Sequence, residues 1–134
     1  LEIIIKLKFK MAFHNQLGEE GEKIAVNYLK NRGYLIYHTN WRMGNLEVDI
    51  IAEDHGELVF VEVKTRSSDK YGDPEYAVEY KKEKDIIRIA SVYLENLHLE
   101  IPARFDIVSI IIGDKKSNVT HFEDAFSAMT LGMH

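Results

Sequence analysis

Residues 46–66 read Leu-Glu-Val-Asp-Ile-Ile-Ala-Glu-Asp-His-Gly-Glu-Leu-Val-Phe-Val-Glu-Val-Lys-Thr-Arg. Two apolar runs, 46–52 and 58–63, flank a polar centre at 53–57. Their Val, Ile and Phe content, with Gly at the centre, predicts a β-hairpin. A two-residue loop at His55-Gly56 pairs Asp54 with Glu57. It then brings Asp49 opposite Glu62 and Glu47 opposite Lys64. A four-residue loop on the same centre gives the same register; an odd loop breaks it.

Alternation assigns the faces. Val48, Ile50, Ala52, Val59, Val61 and Val63 share one apolar face, expected to be core. The other face carries Ile51, Leu58 and Phe60 near the turn, then Glu47, Asp49, Glu62 and Lys64 at the far end. Directly opposed side chains lie roughly 4.5–5.5 Å apart at Cβ, where like charges destabilise. Asp49 against Glu62 is therefore a local conflict unless a cation or a shared proton relieves it. Mg²⁺ is suited to such a place, since it binds through one or two carboxylates and keeps several waters. The plainer reading is a solvated strand end with Lys64 paired to Glu47.

Asp49 followed by Glu62-Val63-Lys64 resembles the Asp…(Asp/Glu)-x-Lys signature of restriction-endonuclease-like nucleases. The wider text is narrower: Gly21-Glu22, Asn40-x-Arg42, Glu47 to Ala52, Leu58 to Arg66, Tyr71-Gly72 and Arg104-Phe105-Asp106. Together these resemble the small bacterial family called YraN or UPF0102, inferred to be endonucleases, over about residues 11–126. The resemblance implies an α/β fold with a restriction-endonuclease-like αβββαβ core, a mixed sheet flanked by helices. It also implies a metal-dependent nuclease acting on DNA ahead of RNA, branched or structured DNA included. Asp49 and Glu62, with the Val63 carbonyl, would hold Mg²⁺ or Mn²⁺. Lys64 would act on water and phosphate, and Glu22 and Glu47 would be outer or second-metal ligands. Lys82 would be the family's helix lysine, contacting DNA or the site. The one departure is Asn45 where Gly commonly stands, a conservative change for a turn. The alternative is a nucleic-acid-binding or assembly protein with a vestigial site, or a scaffold whose acidic cluster binds a protein partner.

Composition sets the outer bounds. At 134 residues the chain is long enough for one domain with a real core. It has no Cys, which excludes thiol nucleophiles, disulfides and cysteine zinc sites and suits the cytoplasm. The net charge of −5 argues against a generic nucleic-acid coat protein. It leaves room for a nuclease, which needs carboxylates for metal and only a local basic patch for phosphate. No membrane association is expected, and homodimerisation stays open. The six His show no zinc-ligand spacing, and Gly18-x-x-Gly21 is followed by no Gly-Lys-Ser/Thr phosphate loop.

Residues 1–10 precede Met11 and are expected as an extension outside the domain, an expression remnant or read-through from an upstream start. The domain proper is 11–126, and 127–134 are expected as a mobile tail. A helix is predicted over 15–32, with Asn15 as N-cap, a stripe through Leu17, Gly21, Ile24, Ala25 and Tyr28, and Gly33 as stop. Glu22 falls at the stripe's edge. A strand at 34–40 leads through a turn at 41–45, where Arg42 is set to contact phosphate or pair with Glu47. The loop 65–74 holds Arg66 and Lys70, with Arg66 a candidate phosphate contact. A helix over 75–96, broken near Tyr80, turns Lys81, Lys84 and Arg88 outward and keeps Lys82 at the margin of its stripe. Strands at 103–112 and 119–122 follow.

Overall fold

The computed structural model describes residues 2–68 and 80–133, apart from the side chains at 9, 10, 13 and 14. Helix α1 (Glu2–Asn31) is followed by strands β1 (Leu35–Met43), β2 (Leu46–Asp54) and β3 (Glu57–Ser67). Helix α2 (Tyr80–Asn96) and strands β4 (Ala103–Ile112) and β5 (Ser117–Phe122) complete the chain. The sheet order is β1-β2-β3-β4-β5. All neighbours are antiparallel except β3 and β4, which run parallel. A parallel pair needs a crossover, and α2 supplies it. This is the mixed α/β sheet with flanking helices, in the αβββαβ order that the resemblance implied.

The central hairpin has the expected register, Asp54↔Glu57 through Ile50↔Val61. Its loop is His55-Gly56, with φ of 51° and 83°, and positive φ at both loop residues matches the twist of a tight hairpin. Both faces of the hairpin are core, because β2 and β3 are central strands covered on each side. On the α1 face Ala25 and Leu29 pack against Ile50, Ala52, Val59, Val61, Val108 and Ile110. On the α2 face Ile86, Ile89 and Ala90 pack against Ile51, Leu58, Phe60, Phe105 and Ile107. Phe60, Phe105 and Phe126 stack in series at centroid separations of 5.8 and 5.3 Å.

Several boundaries differ from the sequence expectation. α1 does not begin at Asn15. It runs unbroken from Glu2, since nothing in 2–17 is Gly or Pro to stop it. Its early apolar side chains add no core: Ile3, Ile4, Ile5 and Leu7 are exposed. The helix ends as expected at Gly33, whose N–H donates to the Lys30 carbonyl while Tyr34 N–H donates to that of Leu29. Residues 41–43 belong to β1 rather than a turn, pairing with Leu46, Glu47 and Val48. Likewise Thr65, Arg66 and Ser67 are strand, because β4 offers them Ile110, Ile111 and Ile112 as parallel partners. Near the end of the chain Ala128, Leu131 and Met133 pack on the α2-side core, and Tyr80 OH donates to the Leu131 carbonyl. Lys70, the turn 71–74 and the helix start at 75–79 lie outside the described residues. Among the described residues no helix is long and apolar enough to cross a membrane.

The hairpin end of the sheet is tied by a buried polar network. Asp106, fully buried, accepts from Arg104 Nε and Nη2 at 2.9 and 2.8 Å, from His121 Nε2 at 2.8 Å and from Asp124 N–H at 3.0 Å. Arg104 also reaches Asp54 at 3.0 Å and the Tyr34 hydroxyl at 2.6 Å. Burial alone would raise the Asp106 carboxyl, but these donors and the guanidinium charge outweigh it and hold it below the ordinary carboxylate range. Its contribution is therefore complete above that range and lost as pH falls through the depressed value. Asp106→Ala strands Arg104 and His121 without their acceptor. It should cost about 3–5 kcal/mol in urea denaturation near neutral pH. A loss no larger than the ~0.5 kcal/mol of an ordinary surface substitution would refute the network's importance.

Candidate active site

At the opposite end of the hairpin the ladder stops. The last bridge between β2 and β3 is Ile50↔Val61, and beyond it the Val63 N–H donates to Asp49 Oδ2 at 2.7 Å. A side-chain carboxylate has taken over from the backbone. Level with it on β1, between the pairs Thr39↔Ile50 and Trp41↔Val48, Asn40 adopts φ 52°. Asn is among the few non-glycine residues that visit this left-handed region readily. A left-handed residue breaks the two-residue alternation, and β2 follows its partner across the kink. Val48 consequently joins the α2-side core, not the face of Ile50 and Ala52 that strict alternation predicts. Asp49, at the break, reaches across to β3.

Glu62 is 7% exposed, next to Phe60 in the alternation toward α2. Its carboxyl shares a hydrogen bond with Asp49 and lies 3.6 Å, at Oε2, from Lys82 Nζ. Burial, then the hydrogen bond and charge of Asp49, push it far above the ordinary range, and Lys82 offsets only part. The Glu62 carboxyl thus favours its protonated form more than a free glutamate does, which eases the conflict foreseen from the sequence.

Helix α1 closes the other side. Gly21 makes this possible: a Cβ there would lie 1.9 Å from Thr65 Oγ1, so only glycine lets the helix approach β3 this closely. The approach brings in Glu22, whose Oε1 accepts from Asn40 Nδ2 at 2.6 Å. Burial, then the charge of Asp49, raises the Glu22 carboxyl against that hydrogen bond, with Glu47 and Glu19 adding to the effect. Glu47 is paired with Arg42 at 2.9 Å, the ion-pair role foreseen for that arginine.

These groups line a cleft of about 620 Å³, walled by Gly18, Glu19, Glu22, Asn40, Arg42, Glu47, Asp49, Val63, Lys64 and Thr65 among others. It adjoins a second cleft of about 680 Å³ between α1 and β1, with Glu19, Glu22 and Asn40 common to both. The fold thus brings Glu22, Arg42, Glu47, Asp49, Val63 and Lys64 to one cleft, with Glu62 and Lys82 reaching Asp49 and β2 from the α2 side. Arg66, half-buried two residues beyond Lys64, is not among the lining residues. Asn40 and Thr65 entered the sequence analysis only inside the motifs Asn40-x-Arg42 and Leu58 to Arg66, with no function of their own. A lone Asn inside an otherwise β-prone run was the available signal for the first. Among the described residues no three His, Asp or Glu converge as a ready metal cluster. A hard cation would find two carboxylates, Asp49 and Glu62, and take its remaining ligands from backbone oxygen and water, a donor set that suits Mg²⁺. The proton that Glu62 favours is what such an ion would replace.

The raised Glu62 carboxyl has a stability signature. The native state holds a proton that the unfolded chain releases above the ordinary glutamate value, so stability falls as pH rises toward the raised one. In chelator, Glu62→Gln should gain on wild type in melting temperature as pH climbs across roughly 5–8. Parallel curves for the two proteins would sink this account.

Residues 21–110 match the Uncharacterised protein family UPF0102. The chain is 46% identical over 116 residues to a UPF0102 protein of Bacteroides thetaiotaomicron, covering 87% of this chain and 96% of that one. It is 45% identical over 118 residues to the UPF0102 protein of Parabacteroides distasonis, covering 88% and 98%. A UPF0102 protein of Thermodesulfovibrio yellowstonii is 45% identical over 111 residues, covering 83% and 96%. With its cleft, both helices and every strand of the αβββαβ core inside or overlapping the matched span, this chain belongs to the UPF0102 family.

Proposed function

We propose that the protein is a metal-dependent nuclease that hydrolyses phosphodiester bonds, with DNA as its substrate. The observation that carries this reading is the Asp49–Glu62 pair at the end of the β2–β3 ladder, Glu62 buried and Asp49 half-buried in the cleft that Lys64 also lines. Two carboxylates forced together out of water destabilise a fold, and only a cation or a proton makes them tolerable.

Asp49 and Glu62, with the Val63 carbonyl, would hold Mg²⁺ or Mn²⁺. The bound ion supplies Lewis acidity toward the phosphate and acidity to water. The chain's own groups do the rest. Lys64 orients the attacking water and offsets charge growing on the phosphate oxygens. Glu22, fixed by Asn40, and Glu47, fixed by Arg42, keep the cleft acidic around the reacting centre. Water adds to phosphorus, the ester P–O bond breaks, and the proton passes to the leaving oxygen. The groove formed by the two adjoining clefts gives an extended strand room to lie along α1. Arg66, and Arg42 when it exchanges Glu47 for phosphate, would anchor the backbone without reading sequence.

Cleavage of labelled single strands, flaps and four-way junctions in Mn²⁺ tests the reading directly. Lys64→Ala should keep metal and DNA binding while turnover falls by about 10² or more, some 2.7 kcal/mol of transition-state stabilisation. Turnover within a few-fold of wild type would reduce Lys64 to a charge balancer. Wild type that binds DNA and Mn²⁺ but cuts nothing would make this a binding protein with a vestigial site. Independently of activity, Mn²⁺ should raise the melting temperature through binding linkage, and Asp49→Asn should abolish most of the rise. An equal rise in both proteins would place the ion elsewhere.

A further inference from the structure

Lys82 sits in the first turn of α2, one helical turn before Ile86 and in line with Ile89, Ala90 and Tyr93. Positions spaced this way face the sheet: Ile86, Ile89 and Ala90 are buried in the α2-side core and Tyr93 packs against it. The other cations of α2 turn away from the site. Lys81 and Arg88 pair with Asp85 at 3.5 and 3.1 Å, and Lys84 lies over the Tyr80 ring. Lys82 alone among them runs inward. Its ammonium donates to the Glu47 carbonyl at 2.8 Å and stands 3.6 Å from Glu62 Oε2.

Stability does not explain this lysine. The Lys82 side chain is still 36% exposed, so its screened contact with Glu62 contributes little, and an apolar residue in the stripe would commonly serve the fold as well. What it does instead is geometric. Where the β2–β3 ladder has ended, one contact reaches the β2 backbone at Glu47 and the other reaches the acid of β3 at Glu62. The Asp49 carboxylate on the Val63 N–H makes the complementary link in the same gap.

We propose that Lys82 is a positioning residue of the carboxylate site. Its ammonium clamps Glu62 to the β2 backbone and so sets where that carboxylate stands against Asp49. Its charge is thus spent on the protein rather than on nucleic acid. The role rests on the hydrolytic reading for its catalytic consequence, but the clamp itself concerns only how the chain holds a divalent ion.

The test compares wild type, Lys82→Met and Lys82→Arg using Mn²⁺ and a labelled DNA oligonucleotide. Lys82→Met keeps length and suits the stripe; Lys82→Arg restores a cation with several donors. For Lys82→Met the clamp requires three results together. At saturating Mn²⁺ the DNA Kd and its salt slope should stay within twofold of wild type. The Mn²⁺-induced rise in melting temperature should shrink by at least half. Where cleavage is measurable, kcat should fall roughly tenfold to a hundredfold, as misplacement of a reacting group does, with KM little changed. Lys82→Arg should recover part of the Mn²⁺ response and of kcat. Weaker DNA binding with a salt slope reduced by about one, and an unaltered Mn²⁺ response, would make Lys82 a phosphate anchor and overturn the proposal. A Mn²⁺ response in Lys82→Met equal to or larger than that of wild type would overturn it also. Wild type that cuts nothing, yet responds to Mn²⁺ in a way Lys82→Met does not, would refute hydrolysis while supporting the clamp. Wild type with no Mn²⁺ response refutes both. Should Lys82→Met fail to fold, Lys82→Gln, which keeps a donor for Glu47 and drops the charge, decides by the same readings.

Discussion

Everything at the cleft depends on one hydrogen bond, from the Val63 amide to the Asp49 carboxylate. In an uninterrupted hairpin that amide would meet a carbonyl of β2, and Asp49 would be one more outward side chain at a strand end. Because the carboxylate takes the amide, β2 and β3 are held near each other without being zipped together. The gap this leaves admits Glu62 from one strand and Lys82 from beneath the sheet. It also fixes the charge pattern, since an anion anchored on a backbone donor cannot swing away from the acid beside it.

Among the described residues two carboxyls are buried, Asp106 and Glu62, and they are treated oppositely. Asp106 is surrounded by donors: a guanidinium, an imidazole and a backbone amide all serve one side chain, and it stays ionised. Among the described residues Glu62 has one ammonium, at 3.6 Å, and Asp49 as its other charged neighbour, and its carboxyl is pushed up toward the protonated form. Solvation cost is common to both, so the difference lies in how many donors each was given. Asp106 is finished as an ion and ties β4 to β5, to Tyr34 and through Arg104 to the hairpin loop. Glu62 is left unfinished, which is a liability for folding and an opening for a cation. Asp106 stands level with Val61, one residue from Glu62 in the parallel register, but on the α1 face of the sheet while Glu62 faces α2, so the well-satisfied face can hold the sheet while the other bears the strain of function.

Much of this was legible in residues 46–66. The His55-Gly56 loop sets the register, and the register puts Asp49 near Glu62 before any coordinates are seen. Gly33 as a helix stop and the strand at Ala103–Ile112 were equally plain. The misses have one physical origin, which is that a neighbour decided what local pattern could not. Val48 changes face because Asn40, on another strand, is left-handed. Residues 65–67 are strand because β4 lies alongside, though their composition reads as loop. The helix start was misjudged for the converse reason: Asn15 is a good cap, but a cap acts only where the preceding residues are not already helical. At the site itself, alternation could place Lys82 at the margin of a stripe but not say that its ammonium crosses to the β2 backbone.

The acidity of the cleft has a consequence for how its ligands would meet. Glu19, Glu22, Glu47 and Asp49 line it against Arg42 and Lys64, and Arg42 is already paired. A phosphate approaching this wall meets repulsion at short range, where screening by salt is weakest for partly buried charges. A divalent ion seated on Asp49 and Glu62 reverses that field, because the ion is then the largest local charge. A phosphate drawn in completes, in turn, the neutralisation that the ion alone leaves partial. Coupling between two ligands is reciprocal in free energy, so each would tighten the other by the same factor. On this reading the protonated Glu62 is the resting form of the same device. With neither ligand present the raised Glu62 carboxyl favours its proton, which lessens the repulsion between the two acids.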